Sequence, residues 1–221
     1  MRRVMEAAYA KVNLTLAVTG RRADGYHTIE SLFQSVSLCD KLTLEQRERG
    51  FWLNETAGIP AEENIITRAD RLLRREFPNL GGVAVTLEKN IPIQAGLGGG
   101  STDAAAYLRG MDRLYGLGLG REGLWALAAE LGADVPFCID GGAAAAAGIG
   151  EKLTRITQVP DCFVLIGKPG INVSTKAAYE SLQLDKISSH PDIDGMIGDI
   201  ERGDLLAMTQ KMGNVFEPGI I

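Results

Sequence analysis

The sequence predicts an α+β fold, and three observations carry that prediction. Apolar and polar residues alternate over residues 8–18, as they do along a half-buried strand. A second strand-like run, residues 83–88, leads directly into a glycine-rich loop that opens onto the helix-forming Ala104, Ala105 and Ala106. Helical spacing follows in residues 122–131, where Leu124, Leu127, Ala128 and Leu131 fall on one face.

In chain order, the first strand puts Ala8, Ala10, Val12, Leu14, Leu16 and Val18 on one face and Tyr9, Lys11, Asn13 and Thr15 on the other. Residues 19–27 are rich in turn formers, with Asp24-Gly25 the strongest signal. Residues 29–38 and 41–45 read as two strands with a bend at Cys39-Asp40, and the polar residues 46–60 as a hairpin or loop. Asn64 caps a helix reaching Glu76, with Ile65, Ala69, Leu72 and Leu73 inward. The helix after the glycine loop runs to Tyr115 and is stopped by Gly116 and Gly118; the next is closed by Gly132. Pro136 disfavours a helical Val135, so a sharp junction is expected there, followed by short strands at 137–139 and 143–147. Past a boundary near residues 150–160, residues 163–166 read as a buried strand and Lys168-Pro169-Gly170 as a turn. Ser174 or Thr175 then caps a helix to Leu182, residues 185–194 form a polar mobile loop, and short helices cover 193–200 and 204–215.

The 221 residues suffice for one large domain or two small ones, and 45% hydrophobic with 23% charged residues is ordinary for a globular chain. A net charge of -5 gives no basic footprint, so no nucleic-acid partner is expected, and an anionic substrate has to be held by local donors. Cys39, Cys138 and Cys162 are scattered and without metal spacing, as expected of reduced thiols in a cytoplasmic protein. No signal peptide and no apolar run of membrane-spanning length are present, so no membrane partner is expected.

The glycine loop is the strongest chemical signal. Gly96, Gly98, Gly99 and Gly100 occupy four of five positions ahead of Ser101, Thr102 and Asp103, any of which can cap the helix. Such a loop presents free N–H groups and a positive helix end to a phosphate. It is neither a Walker A loop, since no Lys-Ser/Thr follows the last glycine, nor a dinucleotide fingerprint, since Ser101 stands where the third glycine belongs. A purely structural tight turn is the plain alternative. Lys11 shares a strand face with Asn13, which suits either a cleft or a solvated edge-strand lysine. Asp134 sits in Gly-Ala-Asp-Val-Pro, either a functional carboxylate or a simple cap, and Tyr26-His27 follows a turn, either a recognition loop or plain surface. Together they supply a donor, a base, a cation and a recognition segment.

Four segments carry a resemblance: Lys11-Val12-Asn13-Leu14, GRRADGYHTIESLFQ, PIQAGLGGGSTDAA and LGADVPFCIDGGAAAAAGIGE. The chain resembles the galactokinase, homoserine kinase, mevalonate kinase and phosphomevalonate kinase superfamily, and within it the family of kinases acting on 4-diphosphocytidyl-2-C-methyl-D-erythritol. The resemblance implies a two-lobed fold: a ribosomal-protein-S5-like α/β domain, residues 1–155, that binds ATP, then an incomplete C-terminal α+β domain, residues 156–221. It implies ATP-dependent phosphorylation of the 2-hydroxyl of the methylerythritol moiety in the non-mevalonate isoprenoid pathway, with Mg²⁺, in a cytoplasmic monomer or homodimer. Asp134 matches the family's catalytic aspartate and Lys11 its lysine partner. Pro92, Ile93, Gln94, Ala95, Gly96, Leu97, Gly98, Gly99, Gly100, Ser101 and Thr102 match the ATP-phosphate loop, with Ser101 or Thr102 able to reach Mg²⁺. Tyr26 and His27 match the cytosine-recognition segment, Tyr179 an aromatic residue on the base's other face, and Asn13 a position near the acceptor sugar. The family continues for several dozen residues more, including a third glycine-rich segment, which this chain is expected to lack.

Overall fold

The computed structural model describes residues 2–54, 59–168, 170, 178–179, 182, 184–187 and 189–217. The elements are β1 (Arg3–Arg21), β2 (His27–Arg47), β3 (Phe51–Leu53), α1 (Ile65–Glu76), β4 (Gly82–Glu88), α2 (Gly99–Tyr115), α3 (Gly120–Leu131), α4 (Val135–Asp140), β5 (Ala143–Ala147), β6 (Lys152–Arg155), α5 (Ile193–Glu201), α6 (Leu205–Gln210) and β7 (Gly213–Asn214). They form two compact units, each built from separate stretches of chain. The first comprises Met1–Ala10, Ser37–Pro92 and Leu97–Asp140; the second comprises Lys11–Val36, Ile93–Gly96 and Gly141–Ile221. β1 and β2 are long enough to contribute residues to both.

In the first unit the strand order is β3-β4-β2-β1. β2 runs antiparallel to β4, from Lys41 opposite Glu88 to Arg47 opposite Gly82, and β3 runs parallel to β4. α1, α2, α3 and α4 pack on one another, and α2 lies so close to the sheet that a Cβ on Gly110 would stand 2.8 Å from Leu44. A buried polar network ties α2 to α1: the Tyr107 hydroxyl donates to Asp70 Oδ1 at 2.6 Å, and Arg74 Nε donates to Asp70 Oδ2 at 2.8 Å. Burial, and then the Asp70 charge, push the Tyr107 phenol well above its usual value, so it stays a donor.

In the second unit the order is β6-β5-β2-β1-β7. β5 is antiparallel to β2, with Ser31 opposite Ala146 and Gln34 opposite Ala143, and β7 is parallel to β1 at Thr15 and Leu16. Leu14 and Leu32 project from β1 and β2 into a core closed by Met196, Ile200 and Met208 of α5 and α6. The neighbouring Asp199 of α5 is buried and accepts from Arg202 and Lys211.

Several expectations need correction. β2 is one strand without a bend at Cys39-Asp40, because the Asp40 carboxylate bonds to Asn90 and Ile91 on another segment rather than to its own turn. The polar residues 46 and 47 extend β2, and 51–53 form β3. Residues 137–139 are helical within α4, not a strand: Pro136 occupies the first turn, where its missing N–H costs nothing. Residues 163–166 have no strand assignment, and Phe163 and Leu165 are 106% and 98% exposed, so an apolar run alone did not make a buried strand. The helix expected over 204–215 stops at Gln210, and Gly213 and Asn214 pair with β1 instead. Pro169 of the expected turn, and the expected cap at Ser174 or Thr175, lie outside the described residues. Among the described residues no helix is long and apolar enough to cross a membrane.

Candidate active site

The glycine loop follows β4 and ends in α2. The helix starts at Gly99, with Gly98 as its N-cap at φ 67°, ahead of the three residues expected to cap it. No side chain caps it, and its first turn carries no acid. Ser101, Thr102 and Asp103 are therefore inside the helix, and Thr102 N closes the first intrahelical bond on the Gly98 carbonyl. The leading N–H groups of α2 keep the donor capacity that suits an anion. Gln94 holds a left-handed φ of 53°, uncommon for a residue with a Cβ. Pro92, Gln94, Gly96 and Gly100 are exposed, Ile93, Ala95, Gly98, Gly99 and Ser101 half-buried, and Leu97 and Thr102 buried. The Thr102 hydroxyl is committed to the Tyr9 carbonyl at 2.8 Å.

Beneath the loop, still in the first unit, Lys89 donates to Asp40 and, at 2.8 Å, to Asp103 Oδ2. Burial would lower the Lys89 pKa, but the charges of and bonds to Asp103 and Asp40 outweigh it and raise the pKa. Burial drives Asp103 up to about 7 even though Lys89 opposes it, with Asp40 adding to the rise. Its Oδ1 has no hydrogen-bond partner among the described residues. This cluster was missed from sequence. Three charges at positions 40, 89 and 103 form no local pattern: the pairing of β2 with β4 brings the first two together, and α2 supplies the third.

Asp134 is half-buried in the turn between α3 and α4, and its carbonyl accepts from Cys138 N at 3.3 Å. The segment is positioned by α3, whose Leu124, Leu127, Ala128 and Leu131 are buried, and by Arg109 of α2, which donates to the Cys138 carbonyl at 2.7 Å.

In the second unit Lys11 is 5% exposed, which rules out the solvated edge-strand alternative. Its Nζ donates to Asn13 Oδ1 at 2.8 Å and lies 4.3 Å from the Phe33 ring centroid. Asn13 Nδ2 in turn donates to Ser31 Oγ at 2.9 Å, so a polar row crosses from β1 to β2. Face-wise alternation predicts Lys11 and Asn13 on one side, and the chain supplies an aromatic face and an amide so that the buried ammonium is not left bare.

The turn before β2 is closed by Arg22 N donating to the Tyr26 carbonyl at 2.7 Å, with Gly25 at φ 89°. Tyr26 is 61% exposed. The His27 ring stacks on Tyr179 at 5.2 Å, and Tyr179 meets Phe216 edge-on at 4.8 Å. Burial, then the charge of Arg21, lowers the His27 pKa below its ordinary value, keeping the ring neutral near pH 7. Phe216 was missed because nothing local in its sequence marks it as part of an aromatic group.

Residues 64–142, which run from the cap of α1 through the glycine loop to the end of α4, match the family model of the GHMP kinases N terminal domain. A 4-diphosphocytidyl-2-C-methyl-D-erythritol kinase of Caldicellulosiruptor saccharolyticus is 45% identical over 95% of this chain and 73% of its own length. The kinase of that name from Enterococcus faecalis is 42% identical over 97% and 76%. The crystal structure of a 4-(cytidine 5'-diphospho)-2C-methyl-D-erythritol kinase superposes with a TM-score of 0.80 at 36% identity, covering 97% of this chain and 76% of that one. A homoserine kinase from Cytophaga hutchinsonii, 16% identical with a TM-score of 0.67 over 97% of this chain and 72% of its own, shares the fold. The chain belongs to the 4-diphosphocytidyl-2-C-methyl-D-erythritol kinase family and spans about three quarters of the length of these relatives.

Proposed function

We propose that this kinase transfers the γ-phosphoryl group of ATP to the 2-hydroxyl of 4-diphosphocytidyl-2-C-methyl-D-erythritol, a step of non-mevalonate isoprenoid synthesis, in the cytoplasm. The observation that carries the nucleotide side is the uncapped, acid-free N-terminus of α2 at the end of the glycine loop, where phosphate oxygens replace the missing acceptors. Phosphoryl transfer asks the protein for positioning and charge stabilisation rather than covalent chemistry. The loop 92–102 holds the phosphates. Asp134 takes the proton of the acceptor hydroxyl, and the Lys11 ammonium offsets the negative charge that the hydroxyl develops. Asn13, bonded to Lys11, orients the sugar, while Tyr26, His27 and Tyr179 offer aromatic faces and an edge donor or acceptor to the cytosine.

Mg²⁺ accompanies the nucleotide in this reading. The donors suit an ion held mainly by phosphate and water: among the described residues no cluster of three or more His, Cys, Asp or Glu could hold a metal. Thr102 is 2% exposed, which leaves the half-buried Ser101 as the hydroxyl ligand. When bound, the ion neutralises charge on the β- and γ-phosphates.

The test is ADP release from Mg-ATP with the diphosphocytidyl substrate, run beside mevalonate and homoserine; turnover is expected with the first alone. Asp134→Ala should abolish it while ATP affinity is retained, and an undiminished kcat in that variant would overturn the role assigned to Asp134.

A further inference from the structure

We propose that Asp40 is a positioning residue for the nucleotide phosphates: its single buried carboxylate ties together the two limbs of the glycine loop. The inference rests on the reading of that loop as the ATP-phosphate site. Asp40 is 0% exposed and lies on β2, remote in sequence from the loop. Its Oδ1 accepts from Asn90 N at 2.6 Å and Ile91 N at 2.8 Å, the two amides that lead the chain out of β4 into the loop. Asn90 is held a second time, through Nδ2 to the Cys39 carbonyl at 2.9 Å. The other oxygen of Asp40 accepts from Lys89, whose ammonium reaches Asp103 at 2.8 Å, one turn into α2. The incoming limb is thus bonded directly to Asp40, and the outgoing limb through one intervening cation.

Packing at Gly99 shows how closely the helix start is seated on this brace. A Cβ there would stand 3.1 Å from Ile91 Cγ2 and 3.3 Å from Lys89 Nζ, tighter than ordinary contact. The first residue of α2 is therefore located by two of the three residues that Asp40 holds. Two buried carboxylates around one ammonium form a costly arrangement, and apolar residues of similar volume would hold three elements together at less expense. What apolar residues cannot do is accept two backbone N–H bonds and fix their direction. Phosphoryl transfer is sensitive to displacements of about 1 Å, so a fixed loop geometry has a direct kinetic return.

The experiment compares wild type, Asp40→Asn and Asp103→Asn for equilibrium affinity toward ATP, ADP and adenosine, for KM of the acceptor, and for thermal unfolding. Asp40→Asn keeps the shape but removes the charge and sets an amide against the Lys89 ammonium. ATP and ADP affinities should fall on the order of tenfold while adenosine affinity and the acceptor KM stay unchanged. Asp103→Asn cuts only the outgoing tether and should give a smaller loss with the same phosphate selectivity; it decides the matter if Asp40→Asn does not fold. Equal losses for ATP and adenosine would mark a purely structural role and overturn the proposal, as would full retention of ATP preference in a folded variant. A wild-type chain that binds ATP no better than adenosine would overturn the phosphate reading itself, and this proposal with it.

Discussion

Gly96 and Gly99 stand three positions apart in one loop, yet the backbone demands different things of them. Gly96 adopts φ 70° with open space where a Cβ would go, so its requirement is conformational alone. Gly99 has an ordinary helical backbone, and its requirement is room beside Ile91 and Lys89. Gly96→Ala should therefore lower stability by about 1–2 kcal/mol without moving neighbours, read as a shift in the denaturation midpoint. Gly99→Ala should instead raise the KM for ATP more than it lowers the melting temperature, because it pushes on the helix start. Equal effects of the two substitutions on stability and on KM would contradict the distinction. The same contrast explains what the residues disclosed beforehand. Four glycines announced a special backbone, but which of them needed left-handed φ and which needed space depended on Lys89 and Ile91, folded against them from before the loop.

Among the elements, those written by local rules were legible. Asn64 caps α1, its Oδ1 accepting from Ile66 N at 2.9 Å, and Gly116 ends α2 at φ 63°. The inward face of α3 was also readable from its spacing, since an amphipathic helix declares its buried side. What stayed hidden was set by partners distant in sequence. Asp40 looked like a bend until the segment after β4 supplied its hydrogen bonds, and residues 163–166 looked like a core strand with no account of what would pair with them. In the candidate site, Lys11, Asp134 and the loop stand out as motifs, whereas Asp40, Lys89 and Phe216 matter only through tertiary neighbours.

The α5–α6 corner yields a pH prediction. The bond from Lys211, then its charge and that of Arg202, hold the Asp199 carboxyl below the usual carboxylate range despite burial. A carboxylate with a depressed folded pKa contributes stability that is present above the unfolded value, near about 3.9, and is lost as pH falls through the folded value. Asp199→Asn should therefore be less stable than wild type at neutral pH, with the gap closing in acid below roughly pH 4. Denaturation midpoints measured from pH 7 down to 3 check it, and a gap that widens toward acid would contradict the assignment.

At the scale of the whole molecule, the apolar run Phe163, Val164 and Leu165 is exposed among the described residues and invites unwanted association. Replacing Phe163 and Leu165 with Ser should leave the melting temperature nearly unchanged, because neither side chain is buried, while lowering light scattering and hydrophobic-dye binding. A large drop in melting temperature would show instead that these side chains are packed in solution.

The pairing of β7 with β1 has a consequence for synthesis on the ribosome. Every segment of the first unit has been translated by Asp140, but β1 waits for Gly213 and Asn214 to complete its pairing, and Leu14 and Leu32 wait for Met196, Ile200 and Met208 to cover them. At roughly 5–20 residues per second that interval is on the order of several seconds, during which an early-made strand pair carries a bare apolar face. The nascent chain therefore passes through a stage in which the glycine-loop helix has been made while Leu14 and Leu32 still lack their cover.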